Sequence, residues 1–217
     1  MQTLTQAIIE AGLKAKVLHD TELAVLLDGT AQRRYNLVNR ALAAGELLRL
    51  KRGCYTLNPS LAGLKAHRFV VAQHLSPGSF VSFEAALAWH GAIPEAVHLT
   101  ASVVPGRRKA HYSVPQWGDF QFVPLAQRIG YGLTGVYRHE LPGGIALVAE
   151  PQRAVLDLIC WRKIPPASVL PFFDGLRLEP EWPKAFTADD LKRLSQVYQH
   201  QRMHKAIECM AKELAHD

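Results

Sequence analysis

The stretch from Asp20 to Leu57 constrains this chain more than any other. Asp20 is a good N-cap for a short helix running through Glu22, Leu23, Ala24, Leu26 and Leu27, because its carboxylate accepts from the unpaired N–H groups of a first turn. Asp28-Gly29 ends that helix with turn chemistry, and Thr30 caps the next, Ala31 to Ala44. Gly45 stops it. Leu47 to Leu50 then reads as a strand, Lys51-Arg52-Gly53 as its turn and Cys54 to Leu57 as the returning strand. Two helices across a tight turn, followed by a basic hairpin, make a winged helix-turn-helix pattern.

The second of these helices sorts its residues by face. At about 100° per residue, Ala31, Tyr35, Val38 and Leu42 share one side and are expected to bury together. Arg33, Asn36 and Arg40 fall opposite, with Gln32 and Asn39 beside them, and no acid interrupts that face. Arginine pairs bidentately with guanine, and Asn or Gln with adenine, so these types suit a major groove. The charge is placed to match. The chain carries a net +6, and residues 29–58 hold Arg33, Arg34, Arg40, Arg49, Lys51 and Arg52 against the single acid Glu46. Such a local excess is an electrostatic footprint for phosphate. The expected roles are base reading by Arg33, Asn36 and Arg40, and phosphate anchoring by Arg34, Arg49, Lys51 and Arg52. Thr30 and Gln32 complete the expected double-stranded-DNA surface.

Around this stretch the chain is ordinary and globular, with 48% hydrophobic and 20% charged residues. A helix is expected from Thr5 to Ala15 and a connecting one from Leu61 to Leu75. Ser82 caps a helix that Gly91 and Pro94 end. From Val97 the period changes to that of strands, broken at Pro105-Gly106, Trp117-Gly118 and Pro142-Gly143-Gly144, which predicts a mostly antiparallel sheet. Arg107, Arg108 and Lys109 cluster in one of its connections, as an additional DNA contact beside the hairpin. Pro151 opens a helix burying Val155, Leu158 and Ile159. Ile164 to Phe186 holds five prolines and reads as a linker. Thr187 with Asp190 resembles a capping box. It opens a final helical region to Leu214, with Leu191, Leu194, Tyr198, Ile207, Met210 and Leu214 in its apolar stripe and a break near His200.

Residue types that carry catalysis are present but poorly arranged for it. There is no P-loop, no dinucleotide fingerprint and no G-x-S-x-G. Ser82, Glu84 and His90 have the types of a triad, yet lie on or beside one short helix. His200 and His204 are spaced for a metal and Glu208 continues their face, but the glutamate of H-E-x-x-H is missing and Arg202 and Lys205 intervene. Asp189 and Asp190 are accounted for by the dipole of the helix they begin. No catalytic residue, metal or cofactor is expected. Cys54, Cys160 and Cys209 form no C-x-x-C pair, which suits a reducing cytosol. With neither a signal layout nor a membrane-length apolar run, the expected location is cytoplasmic.

RLKRGCYTL, SFVSFEAALAWHGAIP and VAEPQRAVLDLI, in that order, resemble the AbiEi-type antitoxins, regulators of abortive-infection type IV toxin–antitoxin systems. The likeness spans roughly Thr21 to Arg162. On it, the wing motif is Arg49 to Leu57, the serine-initiated helix is Ser82 to Gly91, and the later helix is Glu150 to Leu158. There Gln152-Arg153 stands where Glu-Lys is expected, keeping one positive charge and losing one negative. The resemblance implies a repressor that binds promoter inverted repeats. It also implies antitoxin action against a nucleotidyltransferase-like toxin encoded alongside, without a stable complex between them. The expected fold is α+β: a winged helix-turn-helix at 1–59, and an antitoxin-type domain at 60–163 with mostly antiparallel sheet. A proline-rich connection and C-terminal helices at 164–217 would pack on that second domain. The alternatives are a winged-helix protein-interaction adaptor, or a solitary regulator without antitoxin activity.

Overall fold

The computed structural model describes residues 3–179, 182 and 186–214. The fold is mixed α/β, with one antiparallel and one mixed sheet. The chain forms two compact units: Met1–Pro77 with Glu140–Ala146, and Gly78–His139 with Leu147–Asp217. The first boundary therefore follows residue 77 rather than 59, and residues after 164 belong to the second unit.

In the first unit the order is α1 (Leu4–Glu10), β1 (Val17–His19), α2 (Asp20–Leu26), α3 (Ala31–Ala43), β2 (Leu47–Lys51) and β3 (Cys54–Leu57), then α4 (Pro59–Ala62) and α5 (Arg68–Leu75). The strands pair antiparallel in the order β1-β3-β2, with Leu18 opposite Tyr55 and Arg49 opposite Tyr55 from the other side. Leu4 and Ile8 of α1, Leu23 of α2, Leu37, Val38 and Ala41 of α3, and Leu47 and Leu57 of the hairpin share one core.

Three local expectations change here. The first helix ends at Glu10 instead of Ala15, since Gly12 turns the chain with φ +71°. β1 follows at Val17–His19, and its three residues are too few to carry a recognisable period. Asp20 is the first helical residue of α2, and His19 stands in the cap position, where its backbone N–H donates to the Glu22 carboxylate at 2.7 Å. The connecting helix is two helices, because Gly63 ends α4 in the left-handed region and Leu64 is exposed.

The second unit opens with β4 (Phe80–Val81) and α6 (Phe83–Trp89), then β5 (Thr100–Val104), β6 (Ala110–Val114) and β7 (Gly118–Pro124). After β8 (Val136–Leu141) and β9 (Gly144–Ala149), whose residues Glu140–Ala146 belong to the first unit, come α7 (Pro151–Trp161), a 3-10 turn at Pro166–Ser168 and α8 (Val169–Asp174). The last elements are α9 (Ala188–Ser195) and α10 (Gln201–Leu214). The strand order is β6-β7-β5-β4-β9-β8. β5 runs parallel to β7, and β4 parallel to β9, so the sheet is mixed rather than mostly antiparallel. The cause is local. β6 turns back onto the outer edge of β7, leaving β7 to meet β5 in the same direction. All five residues of β5 are buried, as a strand covered on both faces requires.

α7 buries Val155, Leu158 and Ile159 as expected, and also a charge. Arg153 Nε lies 2.9 Å from Asp157 Oδ1 with both side chains fully buried. Tyr198 donates its hydroxyl to the same oxygen at 2.8 Å, and Ser82 donates to Oδ2 at 2.7 Å. Arg153 Nη1 also donates to the carbonyls of Gly132 and Thr134. Ser82 thus occupies the N-cap position of α6 but spends its hydroxyl on Asp157, not on capping. The C-terminal stripe packs as expected at Leu191, Leu194, Tyr198, Ile207 and Met210, with its break at 196–200. The Leu214 side chain lies outside the described ones. Residues 164–186, expected as a linker, include the 3-10 turn and α8.

Candidate nucleic-acid interface

α3 presents the candidate surface. Thr30 caps it as expected, accepting from the Arg33 N–H at 3.2 Å. The buried residues are Leu37, Val38 and Ala41, whereas Tyr35 is 64% exposed and Ala31 also faces out. The helix is therefore turned about 85° from the expected orientation, taking 100° per residue. Its outward face centres on Gln32, Asn36 and Asn39, with Arg40 and Tyr35 on the two flanks. Arg33 lies well off the centre. A face drawn through Leu37, Val38 and Ala41 gives the observed orientation, but Leu42 on the expected face is as bulky as Leu37, so the helix alone does not choose between them.

The polar side chains are held by local bonds. Gln32 Nε2 donates to Asn36 Oδ1 at 3.1 Å, and Arg40 Nε donates to the Asn36 carbonyl at 3.4 Å. Arg33 and Arg34 fold back on the α2–α3 turn, donating to the carbonyls of Asp28 (2.9 Å) and Gly29 (2.6 Å). Both guanidinium groups thus gather at the helix N-terminus, where backbone N–H groups already favour an anion.

Between α3 and the β2–β3 hairpin lies a cleft of about 580 Å³. Arg34, Tyr35 and Asn39 line one wall, and Arg49, Arg52 and Tyr55 the other. The Arg49 guanidinium sits 5.9 Å from the centre of the Tyr55 ring. Asp20 closes the cleft at the hairpin turn, so close to Gly53 that a Cβ there would stand 2.9 Å from its Oδ2. Burial first, then the Asp20 carboxylate, pushes the Tyr55 hydroxyl above its ordinary pKa, so the phenol stays neutral.

Two further expected site groups have settings of their own. Lys51 is half-buried, and its Nζ donates to the Leu75 carbonyl at 2.9 Å, so this amine ties the hairpin to the end of α5. A bulge between Arg49 and Lys51 breaks their shared outward alternation. Arg107, Arg108 and Lys109 are exposed in the β5–β6 loop of the second unit.

The residues with catalytic types are also placed. Glu84 pairs with Arg162, and His90 Nε2 lies 3.0 Å from the Ala149 carbonyl, with burial lowering its pKa. Among the described residues, no three His, Cys, Asp or Glu side chains gather as metal ligands would. Among them, no helix is long and apolar enough to cross a membrane.

No family model matches the chain, and no curated protein does. Among solved structures it is similar to the RV2827C protein of Mycobacterium tuberculosis, with 16% identity and a TM-score of 0.53. The match covers 99% of this chain and 78% of that one. At that identity the likeness is one of fold.

Proposed function

We propose that the first unit is a winged helix and that the chain is a sequence-specific DNA-binding repressor. The order helix, strand, helix, helix and hairpin supports the winged-helix reading, with α3 as recognition helix and β2–β3 as wing. One observation carries the DNA reading: α3 has no acid and exposes the amides of Gln32 and Asn36, while Asn39 lines a neighbouring cleft rimmed by Arg34, Arg49 and Arg52. Amides can read adenine edges while the arginines hold the phosphates on either side. The motifs resembling the AbiEi-type antitoxins support the further reading that the protein represses its own operon and opposes a nucleotidyltransferase-like toxin. It needs no catalytic residue of its own for either task.

A gel-shift titration with the DNA upstream of its own coding sequence, repeated over a salt series, tests this. The expected result is a sequence-selective shift that weakens steeply with salt. A shift that is absent, or equal on unrelated DNA, overturns it. Exposure of Val25 (88%) on α2 and Tyr35 (64%) on α3 favours a second reading, in which this unit docks a protein partner.

A further inference from the structure

We infer that the second unit carries a groove for single-stranded polynucleotide, beyond any duplex read by the first. Two clefts in this unit, of about 470 and 820 Å³, adjoin at the end of β7, where Pro124, Leu125 and Ala126 line both; the strand we infer runs along the two. Lys109, Lys163, His200 and Arg202 line the first, and Arg107 and Arg128 the second. Among the described residues, no aspartate or glutamate lines either. Arg202 is occupied, capping the end of α7 through the carbonyls of Ile159, Cys160 and Ile164, but its charge still adds to the field of the first cleft. Arg107, Arg128, Lys109 and Lys163 are exposed and free to meet phosphate.

Charge alone would fit any polyanion; the rings narrow the choice. Half-buried Trp161 lines the first cleft. Tyr131, 37% exposed, follows the second, with the Arg128 guanidinium 5.2 Å from its ring centre. An aromatic face in one basic cleft and a second ring beside the other serve unstacked bases, whereas the bases of a duplex already stack on one another. A concave floor likewise suits one flexible strand better than the convex backbone of a duplex.

The test uses the full chain and fluorescein-labelled oligo(U) and oligo(dT) of about 12 nucleotides, a length within the usual single-strand site sizes, followed by anisotropy over a salt series. The triple variant Arg107→Gln/Arg128→Gln/Lys163→Gln should weaken both strands about tenfold or more, and flatten the log–log salt slope by about 2, at roughly 0.7 per phosphate contact. Tyr131→Ala should weaken them about fivefold or more. Tyr131→Ala should leave the upstream-duplex shift within about twofold of the parent, a control that separates this groove from the first unit's surface. A preference for oligo(U) assigns the ligand to RNA, and equal affinity assigns it to either backbone; both support the groove. The inference is overturned if the parent binds neither strand, or if the triple variant binds both like the parent. Equal binding of a blunt duplex of the same length, lost in the triple variant, or displacement of the strand by polyglutamate at equal charge, overturns it too.

Discussion

His19 Nε2 lies 2.9 Å from His74 Nδ1, joining the start of α2 to the last turn of α5. At that distance one ring donates and the other accepts, so the pair holds at most one positive charge. Burial first, then His19, with Lys51 and Lys16 adding to it, pushes the His74 pKa below its ordinary 6.5, and Glu22 opposes them. A histidine depressed in this way takes up its proton more readily in the unfolded chain. Its stabilisation is complete above pH 6.5 and is lost as the pH falls through the folded-state value. His67 and His90 are lowered in the same direction, each chiefly by burial. Urea unfolding should therefore show lower stability at about pH 5.5 than at about pH 7.5, and His74→Gln should shrink the difference. Equal stability at both would count against the bond.

The orientation of α3 predicts an unequal pair of variants. Asn36→Ala should lower affinity for the native upstream site by about 1–3 kcal/mol and relax its sequence preference. Arg33→Ala, displaced from the outward centre, should weaken all sequences alike. Competition gel shifts against single-base variants of the site distinguish the two patterns, and the reverse pattern would restore the face drawn from the sequence.

Lys51 and its basic neighbours should separate as well. Arg49→Gln and Arg52→Gln should each flatten the log–log salt slope by about 0.9 if each meets a phosphate. Lys51→Gln should leave the slope nearly unchanged and instead destabilise the chain by about 1 kcal/mol, through its lost bond to the Leu75 carbonyl. Thermal melts alongside the binding series read both effects.

Arg153→Met should cost about 3–5 kcal/mol, because it leaves the Asp157 carboxylate buried beside Tyr198 and Ser82 without its cation. Burial, followed by Asp157, raises the Tyr198 pKa well above its ordinary value, so the phenol stays a donor but cannot replace the charge. Arg153→Met with Asp157→Leu should recover much of the loss. Urea midpoints of the three proteins decide it; equal damage in the single and double variants would mean that packing, not charge, sets the cost.

Burial pushes the Cys54 and Cys160 thiols up to about 11, whereas Cys209 is half-buried on α10. A disulfide exchange reagent near neutral pH should modify one thiol quickly, and the other two only after denaturation. Mass spectrometry of the modified peptide should place the fast thiol at Cys209.

Local chemistry was readable along the chain. Thr30 as a cap, the Arg52-Gly53 turn, the break in the C-terminal stripe and the burial of Val155, Leu158 and Ile159 all follow from neighbours a few residues apart, where side-chain and backbone geometry act directly. The composition of α3, amides and arginines with no acid, was equally plain. What could not be read locally is how each element is turned toward the rest. Nothing within α3 says that Leu37 and not Tyr35 will be pressed on α1, or that Lys51 will find a carbonyl 24 residues away. The parallel pairing of β5 with β7, and the hydrogen bonds that Ser82 and Tyr198 bring to the Arg153–Asp157 pair, likewise depend on distant segments meeting. Periodicity supplies the apolar and polar faces of an element, but its rotation, partner and charge balance are set by packing, which only the tertiary structure decides.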